Sequence, residues 1–193
     1  MFRLPLLVAL ALITAFGAGI GSAVMMLDAS SGFGAIRLGP WAAFPQAQTV
    51  DADPYAKAHR ARAGRLLFGS AEGLMFQADV DGSGKRLSSD CTYEMQGQTP
   101  PARFWSLYAA NNVNQPLLPA PGLPAAFNAW NVLRDADGSV RVRISASAQP
   151  GNWLALRRGG PFRLVLSLLD TPTAGSSGVL EIGMPTIRKV SCP

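Results

Sequence analysis

Residues 161–170 read "PFRLVLSLLD", and this stretch decides the fold. From Leu164 to Leu169 only Ser167 interrupts the apolar side chains, so neither parity is polar. A strand apolar on both parities belongs at the centre of a sheet, covered on both faces. The neighbouring segments must then supply its partners, and they alternate with a period of two.

On the N-terminal side, "GLMFQADV" (73–80) alternates Leu74, Phe76, Ala78 and Val80, and "DGSGKR" turns the chain. "LSSDCTYEM" (87–95) sets Leu87, Ser89, Cys91, Tyr93 and Met95 against Ser88, Asp90, Thr92 and Glu94. "RFWSLYA" (103–109) alternates Phe104, Ser106 and Tyr108 with Trp105 and Leu107. "NQPLLPAPGLPAAF" (114–127) has four prolines, which bars it from a central strand, and reads as a long connection. "NAWNVLR", "DADG" and "SVRVRISAS" read as a hairpin, its second strand turning Val140, Val142 and Ile144 inward and Arg141 and Arg143 outward. "GVLEI" and "TIRKVSC" close the chain. Short strands joined by Gly/Pro turns predict a mainly β protein, a jelly-roll-like β-sandwich.

One short helix precedes these strands. Asp53 is an N-cap with Pro54 at the first helical position, an Ala-rich run follows, and Gly64 ends it. Lys57, Arg60, Arg62 and Arg65 make it the strongest basic cluster, readable as a solvated face or as a contact for an acidic partner. Before it, residues 29–52 are rich in Gly, Ser, Ala and Pro and read as a linker that becomes ordered toward Trp41.

The 193 residues carry 15% charged and 48% hydrophobic side chains, less charge than the roughly 25% of a soluble domain. Leu4–Leu27 accounts for this. These 24 uncharged residues, as a helix of about 36 Å, exceed a hydrocarbon core of about 30 Å. Arg3 flanks one side and Asp28 the other, which orients the N-terminus toward the cytoplasm. The competing reading is a signal peptide cleaved near "AFGAG" (15–19), but the apolar run continues through Met26. Gly17 and Gly21 form a G-x-x-x-G, weak in so small-residue-rich a span. The expected organisation is a transmembrane anchor at 1–28, a linker at 29–52 and an exported domain at 53–193. Its location is then the bacterial inner membrane, with one pass and a periplasmic C-terminal domain. Export leaves the +5 charge no nucleic acid to bind.

Export also sets the chemistry of the two cysteines. Cys91 and Cys192 meet an oxidising compartment and are expected to form a disulfide that ties down the terminal strand. They lack the C-x-x-C spacing of a redox-active pair.

Catalytic signals are sparse. Asp79, Asp81, Ser83 and Asp90 sit at the spacing of a calcium-binding helix–loop–helix, but their flanks alternate like strands, so they read as turn residues and weak metal candidates. His59 has no obvious carboxylate partner, and there is no G-x-S-x-G. Arg103, Trp105, Tyr108, Asn128, Trp130, Asn152 and Trp153 are candidates for lining a pocket between the sheets, with core packing the plainer role for the aromatics. No catalytic residue and no cofactor are assigned.

Together, "DPYAKAHRARAG", "PPARFWSLYAANN", "DGSVRVRIS", "GNWLALRRGGPFRLVLSLLD" and "GMPTIRKV" give residues 40–193 a pattern that resembles the bacterial domain of unknown function 1214 family. The resemblance implies a jelly-roll-type sandwich. In longer members it follows a second uncharacterised domain, so a short anchored member implies a companion domain on a separate protein. The pattern carries onto Trp105, Ser106, Tyr108, Asn152, Trp153, Pro161 and Phe162. It departs at Ala109, where the family usually has Asp, and at Ser167 and Leu169, where it usually has Arg and Tyr. If those polar residues form a shared pocket in the family, the departures imply its loss here. The expected function is a non-enzymatic binding or assembly module with a companion envelope protein; the alternative is a hydrolase or small-ligand-binding sandwich.

Overall fold

The computed structural model describes residues 3–29, 35–45, 49–50, 52–63, 72–112, 114–172 and 183–192. Helix α1 (Arg3–Ala29) is apolar all round, and of its described side chains Leu27 alone is not exposed. It is long and apolar enough to cross a bilayer, a property a signal sequence shares. Helix α2 (Pro54–Ala63) begins as expected: the Asp53 carboxylate accepts from the N–H groups of Tyr55 (2.9 Å) and Ala56 (3.1 Å). It touches α1.

The remainder is mainly β. Among the described residues ten strands follow in order: β1 (Ile36–Leu38), β2 (Trp41–Ala43), β3 (Gly73–Ala78), β4 (Thr92–Gly97), β5 (Phe104–Ala110), β6 (Ala126–Asn128), β7 (Val140–Ser145), β8 (Asn152–Ala155), β9 (Arg163–Leu169) and β10 (Thr186–Ser191). They make a six-stranded sheet, β1-β2-β3-β9-β5-β6, and a four-stranded sheet, β10-β4-β7-β8. The run that opened the sequence is β9, central between β3 and β5 and buried from Leu164 to Leu168. Gly73 lets β3 come this close, because a Cβ there would meet the Leu168 carbonyl oxygen.

Trp41, Phe76, Leu107, Leu164, Leu166 and Leu168 of the first sheet pack on Tyr93, Met95, Val142, Ile144, Leu154 and Ile187 of the second. Both open sides are laced. Trp41 Nε1 donates to the Pro185 carbonyl (2.7 Å) and the Gly82 N–H to that of Ile187 (2.8 Å). Opposite, the Ala155 N–H donates to the Pro124 carbonyl (2.9 Å).

Two details differ from the expectation. Residues 36–43, inside the stretch read as a linker, form β1 and β2, and Trp41 is fully buried. The expected 128–145 hairpin shrinks to one bridge, Arg134 with Val140, because Asn128 and Asn152 hold residues 128–133 in another conformation. The two sheets are six- and four-stranded among the described residues, and β7 and β8 run parallel. "GVLEI" lies outside the described residues.

Candidate functional site

The outer face of the four-stranded sheet carries a charged row. Register sets Arg188 of β10, Glu94 of β4, Arg143 of β7 and Trp153 of β8 side by side. Glu94 is buried, with Arg188 at 3.0 Å and Arg143 at 3.5 Å. Arg143 also reaches Gln149 (3.4 Å), and Trp153 Nε1 donates to the Ser145 carbonyl (2.9 Å). One carboxylate therefore organises two guanidiniums across three strands.

Beside this row lies a groove of about 360 Å³, lined by Leu133, Arg134, Asp135, Arg141, Arg143, Pro150, Gly151 and Asn152. Arg141 pairs with Asp135 (3.5 Å), while Arg134 donates to the Gly138 carbonyl and stands over the Trp105 ring, 5.9 Å from its centroid. Asn152 fixes the floor. Its Oδ1 accepts from Leu133 N–H and its Nδ2 donates to the carbonyls of Leu133 and Arg141, each at 2.8 Å. Guanidiniums around a pocket of this size suit an anion of phosphate or carboxylate type.

The other pocket candidates do not converge there. Trp105 is buried in the core, and its Nε1 is the one buried side-chain polar atom among the described residues without a hydrogen-bond partner. Tyr108 is half-buried on the outer face of the six-stranded sheet. Arg103 is exposed and paired with Asp170 (3.2 Å). Asn128 accepts from the N–H groups of Trp130 and Asn131. Trp130 is 83% exposed and rests against Phe104, ring centroids 4.9 Å apart. Ala109 faces the core while Ser167 and Leu169 point to the opposite face of the sheet, so polar residues at those positions would not share one pocket.

The acidic-turn residues are each engaged. Asp79 pairs with Arg163 (2.8 Å), and Ser88 Oγ donates to Asp90 (3.3 Å). Asp81 is buried and accepts from Ser83 N–H (2.9 Å), Ser83 Oγ (2.6 Å) and Lys85 N–H (3.1 Å). Burial pushes its pKa up, but these hydrogen bonds and the Lys189 charge outweigh burial, and the pKa lies below the ordinary 3.8. Among the described residues no three His, Cys, Asp or Glu side chains gather as metal ligands.

In the basic helix, Lys57 Nζ donates to the Val50 carbonyl (2.8 Å), and Arg60 is half-buried with a partner of its own. Arg65 and the side chains of His59 and Arg62 lie outside the described residues. Cys91 and Cys192 stand at disulfide distance, Cα atoms 4.2 Å apart, immediately before β4 and after β10. Outward alternation marked Arg141 and Arg143 in the sequence. Glu94, the partner of Arg143, and Arg188, the second partner of Glu94, were not visible, because they come from strands about 50 residues away in each direction.

A family model for the protein of unknown function DUF1214 matches residues 72–173. The chain belongs to the DUF1214 family. The match takes in β3 to β9, hence Glu94, Arg143 and the whole groove. Among solved structures, the DUF1214 chain is similar to the VPA0106 protein from Vibrio parahaemolyticus, with 22% identity and a TM-score of 0.58 over 73% of this chain and 36% of that one. It is also matched by an uncharacterised protein from Burkholderia cenocepacia, with 17% identity and a TM-score of 0.43 over 75% of this chain and 46% of that one. The chain thus spans about a third of the Vibrio protein's length. No curated protein matches it.

Proposed function

We propose that this DUF1214 chain is a single-pass protein of the bacterial inner membrane, with a periplasmic β-sandwich that acts as a non-enzymatic binding or assembly module alongside a companion protein. In this reading residues 1–28 are the anchor, and the periplasmic domain takes in β1 and β2 as well as residues 53–193. One observation carries it: a span-length apolar helix is joined to a domain that covers only 36% of a longer chain of the same fold. The anchor keeps the domain at a membrane, where a companion protein with the fold of the unmatched part of the longer chain can meet it. The cysteine pair at disulfide distance fits an oxidising compartment. Helix α2, with Lys57, Arg60 and Arg62, is the contact we assign to the companion, together with Arg65 just beyond it in the sequence.

The test is affinity purification from detergent-solubilised membranes. The expected co-purifying protein resembles the part of the Vibrio chain outside the matched region. Lys57→Glu with Arg62→Glu should lower its yield, as should added salt. Unchanged yield in both would remove α2 from the interface, and the absence of any such protein would remove the companion.

The groove favours a second reading, a small-ligand domain for an anion. A thermal-shift titration with inorganic phosphate reads it: a dose-dependent rise in melting temperature that Arg141→Ala abolishes supports this reading, and a flat response sinks it.

A further inference from the structure

We propose that the end of the sandwich carrying Trp130 and Leu133 rests on the bilayer that α1 spans; this builds on the anchor reading. The register supplies the direction. Ile36 pairs with Ala43, Ala43 with Phe76, Phe76 with Leu166 and Leu166 with Leu107, so all five lie on one level. Gly73, Leu169 and Phe104 share another level, three residues further along. The chain enters β1 from that further side, since Leu38 lies at the level of Trp41, away from it. At about 3.3 Å per residue, the Phe104 level stands about 10 Å closer to the incoming chain than Ile36 does. Only residues 30–35 separate α1 from Ile36, which at full extension reach about 25 Å. The Phe104 end of the sandwich is therefore the end tethered at the membrane surface.

That end presents an apolar tip on a fixed support. Ala129 and Val132 pack on the core, and Leu133 is held by Asn152 and Trp130 by Asn128. Between these fixed points Trp130 is 83% and Leu133 69% exposed. Arg134 follows Leu133, and Arg103 precedes the Phe104 on which Trp130 rests. An indole with flanking guanidiniums has the character of the headgroup boundary, where an amphipathic ring and snorkelling cations are both satisfied.

Area argues for lipid over protein. One exposed Trp and one Leu offer about 300 Å², against about 800 Å² per partner in a standard protein interface. A tethered tip needs far less, because the anchor has already made the encounter intramolecular. Asp170 offsets Arg103, so the contact is apolar in origin and should depend little on salt.

The experiment places the full chain in phosphatidylethanolamine/phosphatidylglycerol vesicles with and without brominated acyl chains, and reads tryptophan emission. Helix α1 contains no Trp, so the span itself contributes no signal. Trp41 and Trp105 are buried in the core. The expected result is quenching by bromine in the wild type, up to the share of one of its four tryptophans, that disappears in Trp130→Ala and weakens in Leu133→Asp. Vesicle flotation after an alkaline wash reads the anchor separately. A chain that floats but whose quenching is absent, or equal in Trp130→Ala, overturns the docking and leaves the anchor standing. A chain that does not float overturns both.

Discussion

Four residues in this fold make sharply different demands. Trp41 and Trp105 are both buried, but Trp41 Nε1 donates to Pro185 across the sheets whereas Trp105 Nε1 donates to no one. Phe at position 41 removes a hydrogen bond and leaves a buried carbonyl without that donor; Phe at position 105 removes only an unused N–H along with ring volume. Trp41→Phe should therefore be the worse by about 1 kcal/mol, the net worth of one hydrogen bond, measurable by urea denaturation. Gly73→Ala forces a Cβ against the Leu168 backbone, which cannot rotate away, and should cost about 1–3 kcal/mol. Asp81 adds a pH dependence. Its folded pKa lies below the ordinary 3.8, so the ionised form stabilises the fold above that value and the stabilisation is lost as pH falls through the folded pKa. Asp81→Asn should flatten the acid limb of stability against pH below about 4, read by denaturation at a series of pH values. Of these, the Asp81 turn was legible in sequence, because its partners Ser83 and Lys85 are local; Trp41 sat in an apparent linker, and hydrogen-bond partners 144 residues apart leave no local trace.

At the scale of elements, legibility followed the strength of the pattern. β9 was plain because six consecutive positions needed cover on both faces, and β4 because alternation ran unbroken from Leu87 to Met95. β1 and β2 are three residues each, built from Ile, Arg, Leu, Trp and Ala between glycines and prolines, too short to show a period. The hairpin expected at 128–145 failed because Asn128 and Asn152 outcompete strand pairing for the backbone N–H groups of residues 130–133. The charged row depends on three strands meeting, which no single segment reveals. It leads to a prediction at this scale. Glu94→Ala leaves Arg143 and Arg188 facing each other's charge across β4, but both guanidiniums keep access to water, which screens much of the cost. We expect a loss of about 1–2 kcal/mol, less than the 3–5 kcal/mol of a fully buried pair, and recovery of about half of it in Glu94→Gln, read by thermal melting.

The whole molecule is arranged around its two ends. The N-terminal helix is almost wholly exposed and is touched by α2, and the C-terminal strand β10 is an edge strand that continues into the cysteine pair. An edge strand at a chain end has one hydrogen-bonded neighbour, here β4, and Ile187 is its one deeply buried apolar side chain. Fraying β10 would uncover Glu94 by removing Arg188 and would free Pro185 from Trp41, so the strand closes both the charged row and one side of the core. A disulfide between Cys91 and Cys192 would prevent this, because it would join residues 101 apart, immediately before β4 and after β10. Loop-closure entropy of a ring this size is about 4–5 kcal/mol, an upper figure because strain subtracts. Cys192→Ser should therefore lower the urea midpoint of the full chain in detergent, and dithiothreitol should bring the wild type to the same midpoint. Cys91→Ser should fall further, because Cys91 is buried in the core and a hydroxyl there also loses apolar packing. If dithiothreitol leaves the wild-type midpoint unchanged, the pair is not linked, and the terminal strand is held by its hydrogen bonds and Ile187 alone.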